Sequence, residues 1–157
     1  MPEEENLFPD DLEDELEDLE DDESEEEIIG YKIAPSFDMK SGDFLLNGSG
    51  QIITADEVEA YTQWCQNILA TDRYNHEAYT DDIGIDYDEV FSAADREEAE
   101  IILESEISEA LACDPYGRTQ YVQNIEFEWI GPDEVAVQIE IVALDNELVT
   151  IEQTITR

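Results

Sequence analysis

From Tyr121 to Thr156 apolar and polar residues alternate in three runs. Tyr121, Ile125, Phe127 and Trp129 are apolar, then Val135, Val137, Ile139 and Ile141, then Val149, Ile151 and Ile155. Most even positions between them are Gln, Glu, Asn or Thr. A period of two belongs to half-buried strands. Gly131-Pro132-Asp133-Glu134 and Asp145-Asn146-Glu147 interrupt the runs with turn formers. The pattern predicts a three-stranded antiparallel meander with one apolar face, which helices upstream must cover.

Two upstream stretches have the helical period. Val58, Tyr61, Trp64, Cys65, Ile68 and Leu69 form one continuous face, ending near Thr71-Asp72. Thr54-Ala55-Asp56-Glu57 fits a capping box, so the helix is expected to start at Thr54. A second helix is expected over about Ala93 to Cys113, with Ser92 as N-cap. Its stripe is Ala99, Ile102, Leu103, Ile107, Ala110 and Leu111. Asp95, Glu97 and Glu98 suit the positive end of its dipole. Asp114-Pro115 stops it, because proline disfavours helical geometry in the residue before it. Trp64, Tyr61, Leu103 and Ile107 are the expected cover of the sheet.

The remaining segments are less regular. Short β-prone runs occupy residues 28–53, and Asn47-Gly48-Ser49-Gly50 marks a hairpin turn between Phe44–Leu46 and Gln51–Ile53. Asp72 to Phe91 reads as irregular, with one short strand near Tyr79 to Ile85. The predicted fold is α+β: two amphipathic helices packed on a small antiparallel sheet that ends in the meander. This domain spans residues 28–157 and follows an acidic extension, residues 1–27.

Charge sharpens the division. The chain of 157 residues carries 45 acids against 6 bases, a formal charge of −39. Residues 1–27 hold 17 of the acids and no base, which leaves 28 acids and 6 bases for the rest. Density of that kind opposes compaction. Leu12, Leu16 and Leu19 nevertheless recur at helical spacing within it, a stripe able to fold on a partner. So acidic a chain is not expected to bind nucleic acid through phosphates, nor anionic membrane surfaces. No basic and apolar leader opens the sequence, and no apolar run approaches the ~20 residues of a membrane span, so neither signal peptide nor span is expected.

Candidate chemistry is sparse. There is no phosphate-binding glycine loop and no nucleophile motif, and His76 is the single histidine. Asp81, Asp82, Asp86, Asp88 and Glu89 do not have the spacing of a calcium loop. Cys65 and Cys113 stand in no metal-ligand spacing and are expected as buried free thiols. No enzyme activity, cofactor or metal is expected. The bases draw more attention: Arg73 and Arg118 follow the two helices, in positions to meet carboxylates.

Several stretches, taken in order, resemble one family. Ile68-Leu69-Ala70-Thr71-Asp72-Arg73-Tyr74 resembles the exit of the first helix in XkdS-like proteins of PBSX-type contractile tails. Ile83-Gly84-Ile85-Asp86, the helix Glu104 to Asp114, and Ile125-Glu126-Phe127 resemble the stretches that follow there. These proteins are related to the gene product twenty-five-like baseplate wedge proteins, or sheath initiators. The resemblance covers residues 36–157. It implies a structural protein joining the baseplate wedge to the first sheath ring, in several copies around a symmetric tail. Its partners would be wedge proteins and the tail sheath protein, with tail tube or hub proteins as further contacts. It would be assembled in the host cytoplasm and carried in the virion. Asp114, Pro115 and Arg118 are nearest to the family's Glu-Pro-Arg signature, which implies wedge contacts. The resemblance also implies strand exchange, and the last strand, with Leu148, Val149, Ile151 and Ile155, is its candidate site. The competing reading from charge alone is an acidic DNA mimic that blocks a basic nucleic-acid-binding protein.

Overall fold

The computed structural model describes residues 29–157, so Leu12, Leu16 and Leu19 lie outside the described residues. Four two-residue strands come first: β1 (Ala34–Pro35), β2 (Phe37–Asp38), β3 (Asp43–Phe44) and β4 (Thr54–Ala55). Helices α1 (Glu57–Ala70), α2 (Tyr87–Ser92) and α3 (Arg96–Ala112) follow. The meander closes the chain as β5 (Thr119–Trp129), β6 (Glu134–Ala143) and β7 (Leu148–Thr156), in the order β5-β6-β7. The architecture is α+β, as the periodicity predicts. The expected hairpin is present too, with Leu46 bridged to Ile52 across the Asn47–Gly50 turn.

The helices cover one face of the sheet. Tyr61, Leu69, Leu103, Ile107 and Leu111 are fully buried against Val135, Ile139, Ile141 and Ile151. Each such side chain contributes roughly 1.5–3 kcal/mol of apolar burial. Trp64 is half-buried at the margin of this core rather than at its centre.

Three local expectations are corrected. The first helix starts at Glu57 with Asp56 as N-cap, because Thr54 and Ala55 pair with Pro35 and Ala34 as strand β4. The second long helix starts at Arg96, not Ala93. Ser92 closes the short helix α2, which the sequence pattern did not suggest, and Asp95 caps α3 by accepting from the Glu98 N–H at 2.9 Å. Around residues 79–85 there is no strand, only a single parallel bridge of Asp72 to Ile85.

That bridge depends on Gly84. Its φ is +93°, a left-handed conformation, and a Cβ there would stand 2.5 Å from the Thr71 carbonyl oxygen. Gly84→Ala is therefore expected to cost at least about 1–3 kcal/mol, read as a lowered urea midpoint with unchanged slope.

Bulges alter the side-chain parity of β5. Its register with β6 shifts between Thr119 and Tyr121 and again between Val122 and Asn124. Thr119 and Val122 consequently face the core side. Tyr121, expected inward, lies on the outer face, 56 % exposed, in register with Val142 and Leu148. A period-two pattern cannot show an inserted residue that flips it.

The two cysteines differ in surroundings. Cys65 is buried in the core, and burial pushes its thiol up to about 12. Cys113, expected buried, is exposed at the C-cap of α3, where its Sγ donates to the Glu109 carbonyl at 3.2 Å. Partial desolvation, then the nearby Asp82 carboxylate, raises its pKa as well. One equivalent of maleimide is expected to react with the native protein, at Cys113, and the second only after unfolding. Two equivalents reacting at equal rates under native conditions would contradict this placement.

Candidate functional site

Strands β5 and β7 are both edges of the three-stranded sheet. Their edges differ in regularity. The two bulges bend and interrupt β5, a device that discourages strand addition. The β6–β7 ladder runs without a shift from Glu134↔Thr156 to Val142↔Leu148. The unbroken template is therefore β7.

The backbone atoms that β7 offers follow from its ladder. At one end Arg157 N–H donates to the Asp133 carbonyl at 3.1 Å; at the other Ala143 N–H donates to Glu147 at 2.8 Å. Hydrogen-bonded pairs alternate along an antiparallel ladder. With this register, Val149, Ile151, Gln153 and Ile155 bond to β6. Leu148, Thr150, Glu152, Thr154 and Thr156 direct their N–H and C=O groups to the free edge. These five are exposed residues, and Glu152 is the single charge among them.

This distribution sorts the residues singled out from sequence. Val149, Ile151 and Ile155 are at most 4 % exposed, with side chains in the core. They hold β7 in place, and of the four only Leu148 belongs to the edge itself, 51 % exposed. The edge residues missing from the sequence reading are Thr150, Glu152, Thr154 and Thr156. Their signal was present as the polar positions of the last run.

The stretch Asp114-Pro115-Tyr116-Gly117-Arg118 leads from α3 into β5. Asp114 and Arg118 are 8 % and 2 % exposed. The Arg118 guanidinium donates to Asp114 through Nε and Nη2, the shortest contact being 2.6 Å, and its backbone N–H reaches Oδ2 at 2.6 Å. The rings of Tyr116, Tyr61 and Trp64 surround the cation, with centroids 5.0, 5.1 and 5.5 Å from Cζ. Both charges are thus spent inside the fold, and it is Pro115 that lies exposed at this turn. Tyr61 also hydrogen-bonds Thr119 at 2.7 Å, tying α1 to the first residue of β5.

A second buried pair joins the 72–86 loop to α3. Arg73 Nη1 meets Glu106 Oε1 at 3.2 Å, and Arg73 Nε donates to the Gly84 carbonyl at 3.1 Å. The other Glu106 oxygen accepts from the Asp86 N–H at 2.7 Å. Both arginines thus meet carboxylates, as their positions after the helices suggested. Glu106 occupies a core-facing position on α3 that an apolar stripe does not mark.

No helix among the described residues is long and apolar enough to cross a membrane. Among known proteins, no curated sequence matches the chain. A family model described as contractile injection system sheath initiator does match it, over residues 34–146. The matched region runs from β1 to the turn before β7.

Proposed function

The chain belongs to the sheath-initiator family of contractile injection systems, and from that premise we propose that it nucleates the sheath by pairing the free edge of β7 with a strand of the first sheath ring. The observation that carries this reading is the uninterrupted edge from Leu148 to Thr156, beside a β5 edge broken by two bulges. An added strand gains main-chain hydrogen bonds along such an edge, while side-chain contacts supply specificity. Tyr121, Val142 and Leu148 form a cross-strand apolar row on the outer face, which an apolar residue of the incoming strand would extend.

The same reading places the protein in the XkdS-like, gene product twenty-five-like subgroup, as a wedge component carried in several copies in the virion. Pro115 and the turn braced by Asp114 and Arg118 are its proposed contact with wedge proteins. Residues 1–27 are proposed as a distinct acidic extension, in which Leu12, Leu16 and Leu19 engage a partner. The family match lends no support to an acidic DNA mimic.

Photo-crosslinking tests the edge directly. A photoreactive side chain at Thr154 is expected to capture the sheath subunit in assembled tails. One at Asn124, beside the bulges of β5, is expected to do so far less. Capture from Asn124 alone would assign the contact to the opposite edge.

A further inference from the structure

Strands β5, β6 and β7 contain five acids and no lysine or arginine. All five, Glu126, Glu128, Glu134, Glu140 and Glu152, fall on the outer face of the sheet. Their neighbours in sequence fix this, because side chains alternate between the faces of a strand. Val135, Ile139, Ile141 and Ile151 are buried, and Phe127 packs against the same core. None of the five glutamates forms an ion pair among the described residues.

The ladder aligns these charges with the free edge. Glu126 pairs with Gln138 and Gln138 with Glu152, so the three stand in one cross-strand row. Glu140 pairs with Asn124 and Thr150, which makes it the diagonal neighbour of both glutamates in that row. Diagonal neighbours in a sheet lie about 7–8 Å apart, within reach of like-charge repulsion. The row ends at Glu152, and its next position belongs to the strand that is added. Directly opposite an acid, a second acid is destabilising and a base is favourable.

The inner side of the same edge is shaped as well. A recess of about 170 Å³ opens there between Leu69 and Ala70 at the end of α1, Tyr87 of α2, and Gln153 to Thr156 of β7. No lining residue is charged. The Tyr87 hydroxyl already donates to the Leu69 carbonyl. In an added strand, the residue facing Gln153 turns into this recess. An ion there would lose water and gain no partner, so an uncharged side chain fits.

We propose that β7 selects its partner by charge: the strand received from the sheath carries a lysine or arginine opposite Glu152, next to an uncharged residue that enters the recess. This rests on the pairing of β7 with the sheath and adds the chemistry of the partner strand.

Crosslinking from Thr154 in assembled tails supplies the test, because mass spectrometry sequences the captured sheath peptide. In either strand direction the residues facing Thr154, Gln153 and Glu152 are consecutive. Beside the captured residue, an uncharged residue and then a lysine or arginine are expected. Glu152→Lys is expected to lower capture about three- to tenfold, and Glu152→Gln to lower it less. Glu152→Lys is also expected to raise the melting temperature slightly, since it relieves repulsion from Glu126 and Glu140. A change that steadies the fold yet weakens capture separates selection from folding. Replacing the captured base by glutamate is expected to restore capture by the Glu152→Lys chain.

An acid or a neutral residue opposite Glu152 in the captured strand overturns charge selection. So does capture by Glu152→Lys equal to that of the wild type, or a loss that the reciprocal substitution fails to restore. In each of these cases capture from Thr154 in the wild type leaves the pairing at β7 standing. No capture from Thr154 in wild-type tails overturns the pairing itself, and charge selection with it.

Discussion

Thr150→Pro is expected to leave the domain folded and to reduce sheathed tails at least tenfold. The Thr150 N–H points away from β6, so proline there removes an edge donor and no bond of the internal ladder. Val149 before it is already extended, as a residue preceding proline prefers. The strain of adapting φ is expected to cost about 1–2 kcal/mol, a few degrees in melting temperature for a domain of this size. Ile151→Pro, one residue on, removes a ladder bond and disturbs a side chain only 1 % exposed, so it is expected to unfold the domain. The pair separates pairing from folding. Electron microscopy of complemented particles reads the first effect, and circular dichroism of the isolated protein reads the second. Normal sheath on Thr150→Pro particles would sink the β7 reading. Deleting Leu148 to Arg157 would not make this distinction, because Val149, Ile151 and Ile155 belong to the core.

The second large effect is expected at Arg118. Arg118→Met removes the partner of a carboxylate that is 8 % exposed and leaves that charge in the interior. Breaking one side of such a pair costs roughly 3–5 kcal/mol. The contacts with Tyr61, Trp64 and Tyr116 are lost as well. Arg118→Lys is not expected to rescue it, because an ammonium cannot reproduce the forked contact with both Asp114 oxygens. The double variant Arg118→Met with Asp114→Asn removes both charges and is expected to recover part of the loss. Urea unfolding of the wild type, Arg118→Met, Asp114→Asn and the double variant gives the coupling energy. A loss below about 1 kcal/mol for Arg118→Met would show that the pair is solvated in solution and does not brace the turn.

The two variants probe features of unequal legibility. The three strands and their turns were readable because a period of two is a local property of each run, and Asp145 and Asn146 tolerate the positive φ values of 57° and 61° that their turn requires. The long helical faces were readable for the same reason, with a period of 3.6. Boundaries were less so. The Thr54 capping box was displaced when residues 54 and 55 found strand partners far back in the chain, at Pro35 and Ala34. Helix α2 is six residues long, too short to show a period.

At the candidate site the sequence indicated the strand but not its working face. Val149, Ile151 and Ile155 stand out in the alternation of β7, and they are the ones turned inward, whereas Leu148 lies exposed at the edge. Which main-chain groups remain free depends on the phase of the β6–β7 ladder, a relation between two strands that neither run contains. The contrast between edges depends likewise on bulges at β5, visible only against β6. By itself the sequence determined the α+β class, the meander, the faces of the two long helices and the excess of acid. Tertiary structure alone decided that Glu106 and Asp114 are buried ion-pair partners, that Tyr121 faces outward, and that β7 keeps an unbroken edge. The division has a physical origin: periodicity records what each segment buries, whereas register and charge pairing arise only when distant segments meet.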